Sequence, residues 1–249
     1  MQQKNRTAVV IAIGIVILAA VFLSIGLPAF TNTIPEVTLP DLSTSGEAEE
    51  GQDAALPLEV TPETVQRVIA TLKRPACYDR TLQIALYWGE NGGGESTVRV
   101  WADGPCVQTE ITSSGGEKQI YLADEKTLAL WYDGDRTWME RPVTEGTEDL
   151  IQRVPTYEDV ILLHTEQITE AGYQSKNGHN CVYVQAQTGG DDLAERYWVE
   201  TATGLLYAAE TVADGKTVYA VTETALTAPM TEPHTFALPD GTVLHESKP

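Results

Sequence analysis

Between Ala8 and Phe30 the chain reads AVVIAIGIVILAAVFLSIGLPAF, 23 residues without a charge. As a helix this run spans about 34 Å at ~1.5 Å per residue, enough for a bilayer core of about 30 Å. A cleaved signal peptide has a shorter apolar region, roughly 7 to 15 residues, and ends in a small-x-small site. Ser24-Ile25-Gly26 matches such a site poorly, and no cysteine near the end of the run offers a lipid attachment point. No polar residue marks a second face, as a buried soluble helix would require. The run predicts one uncleaved transmembrane helix over residues 8–30.

The flanks set its direction. Lys4 and Arg6 precede the helix and the next basic residue is Arg67, and positively charged flanks stay on the cytoplasmic side. Residues 1–7 are therefore expected in the cytoplasm, with the remainder outside, in a single-pass protein of the cell membrane. The exterior part holds 14 basic and 36 acidic residues, a net charge of −22. That balance favours solubility and excludes nucleic acid as a partner, because nucleic-acid binders carry a basic patch. The cytoplasmic membrane, engaged through the N-terminal helix, is the first expected partner.

Residues 31–55 contain six acids, two prolines, no basic residue and no aromatic. So few large apolar groups cannot offset the entropy of ordering the chain. The segment reads as a flexible acidic linker with a root-mean-square reach of about 25 to 30 Å.

The body, residues 56–249, opens with a helix. Thr61-Pro62-Glu63 supplies a capping hydroxyl, a proline at the first helical position and an acid in the first turn. Val65, Val68, Ile69 and Leu72 follow at helical spacing, and Pro75 ends the pattern. From Tyr78 the period changes to two. Leu82, Ile84, Leu86 and Trp88 alternate with more polar positions, the loop Glu90 to Glu95 turns the chain, and Val98 and Val100 continue on the return strand. Further strands are predicted at Cys106–Thr112, Lys118–Leu122, Thr127–Tyr132 and Arg136–Arg141. Helical patterns at Glu148–Ile151 and Tyr157–His164, the second capped by Thr156, then interrupt the strands. A second meander follows at Glu166–Gln174, Cys181–Gln187, Arg196–Glu200, Leu205–Val212 and Thr217–Thr224. Its turns are marked by Asn177-Gly178, Thr203-Gly204 and Asp214-Gly215.

The pattern predicts an α+β domain: a single antiparallel sheet of about ten to eleven strands, with helices on one side. A sheet this wide curls, so the expected shape is an open half-barrel whose concave face is covered by the helices.

The order of helix, meander, helical insert and second meander carries a family resemblance. Tyr197-Trp198-Val199-Glu200-Thr201-Ala202-Thr203-Gly204-Leu205-Leu206, leading to Glu210 and Asp214-Gly215, is similar to a recurrent hairpin of the LolA/LolB-like lipoprotein carriers and the RseB-type regulators of sigma-factor signalling. Phe236-Ala237-Leu238-Pro239 is similar to their usual ending. The resemblance covers about Leu56 to His245 and marks hairpins rather than chemistry. It implies a lipid, an acyl group or a lipoprotein as ligand. The anchor sets this chain apart from a soluble shuttle. Extracytoplasmic lipoproteins of spore-forming bacteria share the fold and bind a cell-wall enzyme, but this chain lacks their lipidation cysteine.

Candidate chemistry is sparse. His164, His179, His234 and His245 are scattered without metal-ligand spacing, and His164 reads as a polar cap. Asp133 and Asp135 flank Gly134 as a hairpin turn, without the closing Glu of a calcium loop. Gly92-Gly93-Gly94 lacks the Lys-Ser/Thr of a phosphate loop and reads as a flexible hairpin tip. No Gly-x-Ser-x-Gly elbow occurs. The expectation is binding rather than catalysis, with neither metal nor cofactor. Cys77, Cys106 and Cys181 allow three alternative single disulfides. An apolar concavity with its lid is expected to draw on Val68, Leu72, Leu86, Trp88, Trp101, Trp131, Trp138, Ile161, Leu162 and Trp198. The expected function is a membrane-anchored extracytoplasmic domain holding a lipid, acyl group or lipoprotein of the cell envelope. The alternative is a protein-interaction ectodomain, in envelope-stress signalling or spore and wall assembly, without a small ligand.

Overall fold

The computed structural model describes residues 59–88, 92–143, 154–188 and 192–247. The predicted cytoplasmic stretch 1–7, membrane helix 8–30, linker 31–55 and short helix 148–151 lie outside the described residues. Among the described residues no helix is long and apolar enough to cross a membrane.

After α1 (Val65–Thr71) come β1 (Cys77–Trp88), β2 (Gly92–Asp103), β3 (Cys106–Ser113), β4 (Lys118–Ala123), β5 (Thr127–Tyr132) and β6 (Met139–Pro142). The insert then contributes α2 (Tyr157–Leu162) and a 3-10 turn (Thr165–Gln167). The second meander is β7 (Ile168–Lys176), β8 (His179–Gln187), β9 (Leu193–Glu200), β10 (Leu206–Ala213) and β11 (Lys216–Thr227), and a small hairpin of β12 (Thr235–Ala237) and β13 (Val243–Glu246) closes the chain.

The first eleven strands form one antiparallel sheet in the order β6-β5-β4-β3-β2-β1-β11-β10-β9-β8-β7. The two meanders lie side by side, joined along a central seam where Leu82 faces Glu223 and Ile84 faces Val221. The sheet is open, with β6 and β7 as its edges, and accumulated strand twist curls it. Residues 143–167 must therefore join opposite edges. This connection carries α2 onto one face of the sheet.

Alternation along the strands divides the sheet into two faces. On the helix-covered face Leu82, Ile84, Val98, Val100, Val182, Val184, Val199 and Val221 pack against Val65, Val68 and Ile69 of α1 and Val160 of α2. The helices are tied to each other by the Gln66 amide, which donates to the carbonyls of Val160, Ile161 and Leu163 at 3.1, 2.9 and 2.7 Å. Those carbonyls end α2 without helical partners of their own, so a side chain must supply them. Arg74 does the same for α1, donating to Ile69 O at 2.6 Å, Leu72 O at 3.2 Å and Gly204 O of the β9–β10 turn at 3.0 Å. Its guanidinium also stacks 3.5 Å from the centroid of Tyr157.

The opposite face carries a second core. Trp101, Ile120, Leu122, Ala129 and Trp131 are covered there by Met230 and Phe236 of the C-terminal segment. The Phe-Ala-Leu-Pro ending is thus a lid of its own, pairing as β12 with β13 on a face the sequence pattern left uncovered.

Several boundaries differ from expectation. α1 starts at Val65, after a turn through Pro62, because the Thr61 hydroxyl donates to Glu63 at 2.7 Å instead of capping the helix. α2 does begin on the predicted cap: Thr156 Oγ1 accepts from Glu158 N–H at 3.2 Å, and Asp159 accepts from Thr156 N–H at 2.6 Å. β6 has four residues, since Asp133-Gly134-Asp135 turns back to Tyr132 and residues 136–138 stay outside the ladder. Gly92 to Gly94 are no flexible tip. They open β2 opposite Trp88 and Leu86, and a Cβ at Gly92 would collide with the Trp88 indole. Asn177-Gly178 and Asp214-Gly215 both take positive φ, 52° and 88°, 51° and 72°, the geometry of tight two-residue hairpins.

All three cysteines are free thiols. Cys77 on β1 and Cys106 on β3 both lie level with Asp103 on the intervening strand, so two strand spacings, about 9.6 Å, separate them. A disulfide needs Cα atoms within about 6.8 Å. Cys181 sits in the other meander, on β8.

Candidate functional site

At the end of the sheet where β1 begins and β2 ends, the first turn of α2 stands off the strands and leaves a groove of about 340 Å³. Its walls are Val100 and Ala102 of β2, Val107 and Thr109 of β3, Leu205 and Leu206 at the start of β10, Val154, and the rings of Tyr78 and Tyr157. The register explains the lining. Tyr78, Arg80, Val100, Ala102, Val107 and Thr109 all point to the helix-covered face, where Leu82, Ile84 and Val98 further along are already covered by α1.

Two charged residues stand on this wall, the exposed Glu158 on the first turn of α2 and, from the sheet, Arg80. Arg80 is 5% exposed and stands opposite Val100. Its Nη1 donates to Leu206 O at 3.3 Å and lies 3.8 Å from Glu223 Oε2, an ion pair beyond hydrogen-bond range. Arg80 Nε and Glu223 Oε2 are both buried without a hydrogen-bond partner. Burial pushes the Glu223 carboxyl up to about 7, against the pull of the Arg80 charge, which lowers it. A buried guanidinium with an empty donor is an unusual feature, because such a group costs stability unless something fills it.

The residues predicted for a ligand surface divide among several places. Val68 is buried in the core below α1, and Leu72 and Ile161 pack against that core. Leu162 is 65% exposed. Leu86 and Trp88 continue the helix-covered face at the far end of β1 but are exposed, Trp88 lying against Gly92 and Gly94. Trp101, Trp131 and Trp138 belong to the opposite face, beneath the C-terminal hairpin. Trp198 is on that face too, packed with Tyr183 and Tyr207, 3.8 Å from Lys176 Nζ and donating to Gln174. Aromatic content alone could not choose a face; the phase of each strand does. None of the ten predicted residues lines the 340 Å³ groove.

Arg80 was missed, although the sequence carries its signal. It stands in phase with Leu82 and Ile84, as Glu223 does with Val221: a charge on the buried stripe of a strand. The four histidines disperse as expected. His179 meets Glu200 at 2.6 Å and stacks on Tyr207, His234 stacks 4.4 Å from Trp101, and His245 meets Asp103 at 2.7 Å. At His164 it is the backbone N–H, donating to Gln167, that starts the 3-10 turn. Among the described residues no three His, Cys, Asp or Glu side chains assemble as metal ligands. Burial raises the Cys181 thiol to about 11 and also raises that of Cys106, so both remain protonated at neutral pH.

No family model and no curated protein matches this chain. Several solved structures are similar to it. An uncharacterized conserved protein from Thermus thermophilus is 14% identical over 67% of this chain and 85% of its own, with a TM-score of 0.43. The MucA/MucB complex from Pseudomonas aeruginosa matches at 14% identity over 68% of this chain and 57% of the other, with a TM-score of 0.38. A LolA superfamily protein from Nitrosomonas europaea matches at 12% identity over 68% and 93%, with a TM-score of 0.33. The LolA superfamily and MucB thus stand among the structures similar to this chain, as the sequence resemblance leads one to expect. The chain spans less than two thirds of the MucB chain it matches.

Proposed function

We propose that this chain is a membrane-anchored, extracytoplasmic binding domain of the cell envelope, holding an apolar ligand, a lipid or acyl group, in the groove beneath α2. The observation that carries the reading is the groove itself: about 340 Å³, walled mainly by valine, alanine, leucine and tyrosine side chains. That volume is at the lower end of small-molecule sites, roughly 300–1,000 Å³, and apolar walls with few polar groups are their usual composition. The 23-residue apolar run and acidic linker support the placement at a membrane.

Native mass spectrometry of the full-length chain, released gently from membranes, tests the reading. The expected result is a reproducible added mass that extracts into organic solvent. An empty protein that also takes up no acyl probe would overturn it. Ile161→Asp, on the core side of α2, is expected to weaken acyl-probe binding at least tenfold. Leu162→Asp, pointing to solvent, is expected to leave it unchanged.

A second reading, a protein-interaction ectodomain, draws on one edge of the sheet. β7 is nine residues long, and its two-residue hairpin with β8 makes Lys176 and His179 a hydrogen-bonded pair. Ala171, Tyr173 and Ser175 then turn their backbone groups outward, with the Tyr173 ring 58% exposed. Such an edge accepts an added strand.

A further inference from the structure

Resting on the apolar-ligand reading, the geometry points to a narrower ligand class: a single-chain amphiphile with an anionic carboxylate head, seated head-first on Arg80. Three observations meet at this point. Arg80 lines the groove while only 5% exposed. Its Nη1 is taken by Leu206 O, whereas Nε has no partner and Nη2 makes no hydrogen bond among the described residues. The unfilled Nε–Nη2 edge is the planar fork that a carboxylate accepts in bidentate fashion. The groove volume then limits the tail. At about 340 Å³ the groove is at the lower end of small-molecule sites, the scale of one chain rather than of two or three together.

Glu223 sets the condition for such a ligand. Its carboxyl is 3.8 Å from Arg80 and would face a ligand carboxylate across the same guanidinium. Two carboxylates sharing one buried cation are favoured when one of them keeps its proton. Burial already raises Glu223 to about 7, so the residue is ready to take up a proton when the ligand enters. Thr109 and Tyr78 line the same groove, the Tyr78 ring centroid 5.8 Å from the Arg80 guanidinium carbon.

The experiment is a calorimetric titration of the full-length chain with dodecanoate, dodecanol and dodecyltrimethylammonium, three probes of one tail length and different heads. Dodecanoate is expected to bind roughly tenfold to a hundredfold more tightly than dodecanol, the effect of a hydrogen bond to a charged group. The ammonium probe is expected to bind most weakly. Arg80→Gln should erase the preference while dodecanol still binds. Glu223→Gln keeps the shape of the neighbour and removes its charge, and dodecanoate affinity should rise several-fold. A misfolded variant cannot show a gain, so this arm decides the matter if Arg80→Gln fails to fold. Equal binding of dodecanoate and dodecanol, unmoved by either substitution, would overturn the head-group assignment and leave the apolar-ligand reading standing. Binding of neither probe would overturn both.

Discussion

The two faces of the eleven-stranded sheet solve the same problem with different materials. Toward the helices, the core is built from valines, leucines and isoleucines, and it ends in a groove beside Arg80. Toward the C-terminal hairpin, tryptophans and Phe236 join the aliphatic residues and are rimmed by histidine rings: Trp101 stacked on His234, His234 edge-on to Phe236, Phe236 tilted against His245. Polar ends on the hairpin side find partners, as His245 does in Asp103 and Trp198 in Gln174. On the helix side Arg80 Nε, Glu223 Oε2 and the Tyr219 hydroxyl are buried without any. Both faces have room, a groove of about 390 Å³ beside Trp101 and His234 as well as the one beside Arg80, but the helix side is where a guanidinium and a carboxylate lie buried with unfilled hydrogen bonds, which cost about 1 to 3 kcal/mol each.

The contrast is most strongly tested at Phe236, fully buried between the hairpin and the sheet. Phe236→Ala is expected to cost about 3–5 kcal/mol of stability through lost burial and a residual cavity. Chemical denaturation checks the cost, and acyl-probe affinity of the remaining folded protein should not change. A loss of affinity in that folded protein would mean that the faces are coupled.

Glu223 gives the next effect, in the pH dependence of folding. Its carboxyl titrates near 7 in the fold against an ordinary value of 4.5. Below about pH 4.5 the group is protonated in folded and unfolded chains alike; between 4.5 and 7 only the folded chain keeps the proton. Its contribution to stability is therefore full in acid and falls as the pH rises to about 7, by on the order of 2–3 kcal/mol. Denaturation midpoints between pH 5 and 7.5 should fall in the wild type relative to Glu223→Gln, where this slope is removed. Parallel slopes would show that Glu223 is not the titrating group.

The smallest effect is at the entrance to the groove. Thr156→Ala removes the cap of α2 and is expected to cost about 1 kcal/mol. Because the first turn of α2 lines the groove through Thr156 and Tyr157, probe dissociation should quicken while the hairpin face keeps its protection from hydrogen exchange. Uniform loss of protection over both faces would break the comparison.

Most of the architecture was legible in local patterns. Period-two runs, Asn-Gly and Asp-Gly turns and the Thr156 cap depend on neighbours within a few residues, and those neighbours are the same in the sequence and in the fold. β5 spans Thr127–Tyr132 in both. The site was legible only in part. A tryptophan reads as apolar whichever way it faces, and a single strand does not reveal which of its sides meets a helix and which meets a hairpin from the far end of the chain. Arg80 and Glu223 lie 143 positions apart, and each alone reads as a charge on a buried stripe with no sign of its partner.

From its sequence alone, the chain is determined to carry an uncharged 23-residue run, an excess of 36 acidic over 16 basic residues and a meandering antiparallel sheet with helices on one side, because each follows from local composition and periodicity. Tertiary structure decided that β1 pairs with β11, that the C-terminal hairpin covers the tryptophans, that the cysteines stay apart, and that one guanidinium is left half-filled in an apolar groove. Those outcomes depend on register between distant strands, where a shift of one residue exchanges the two faces.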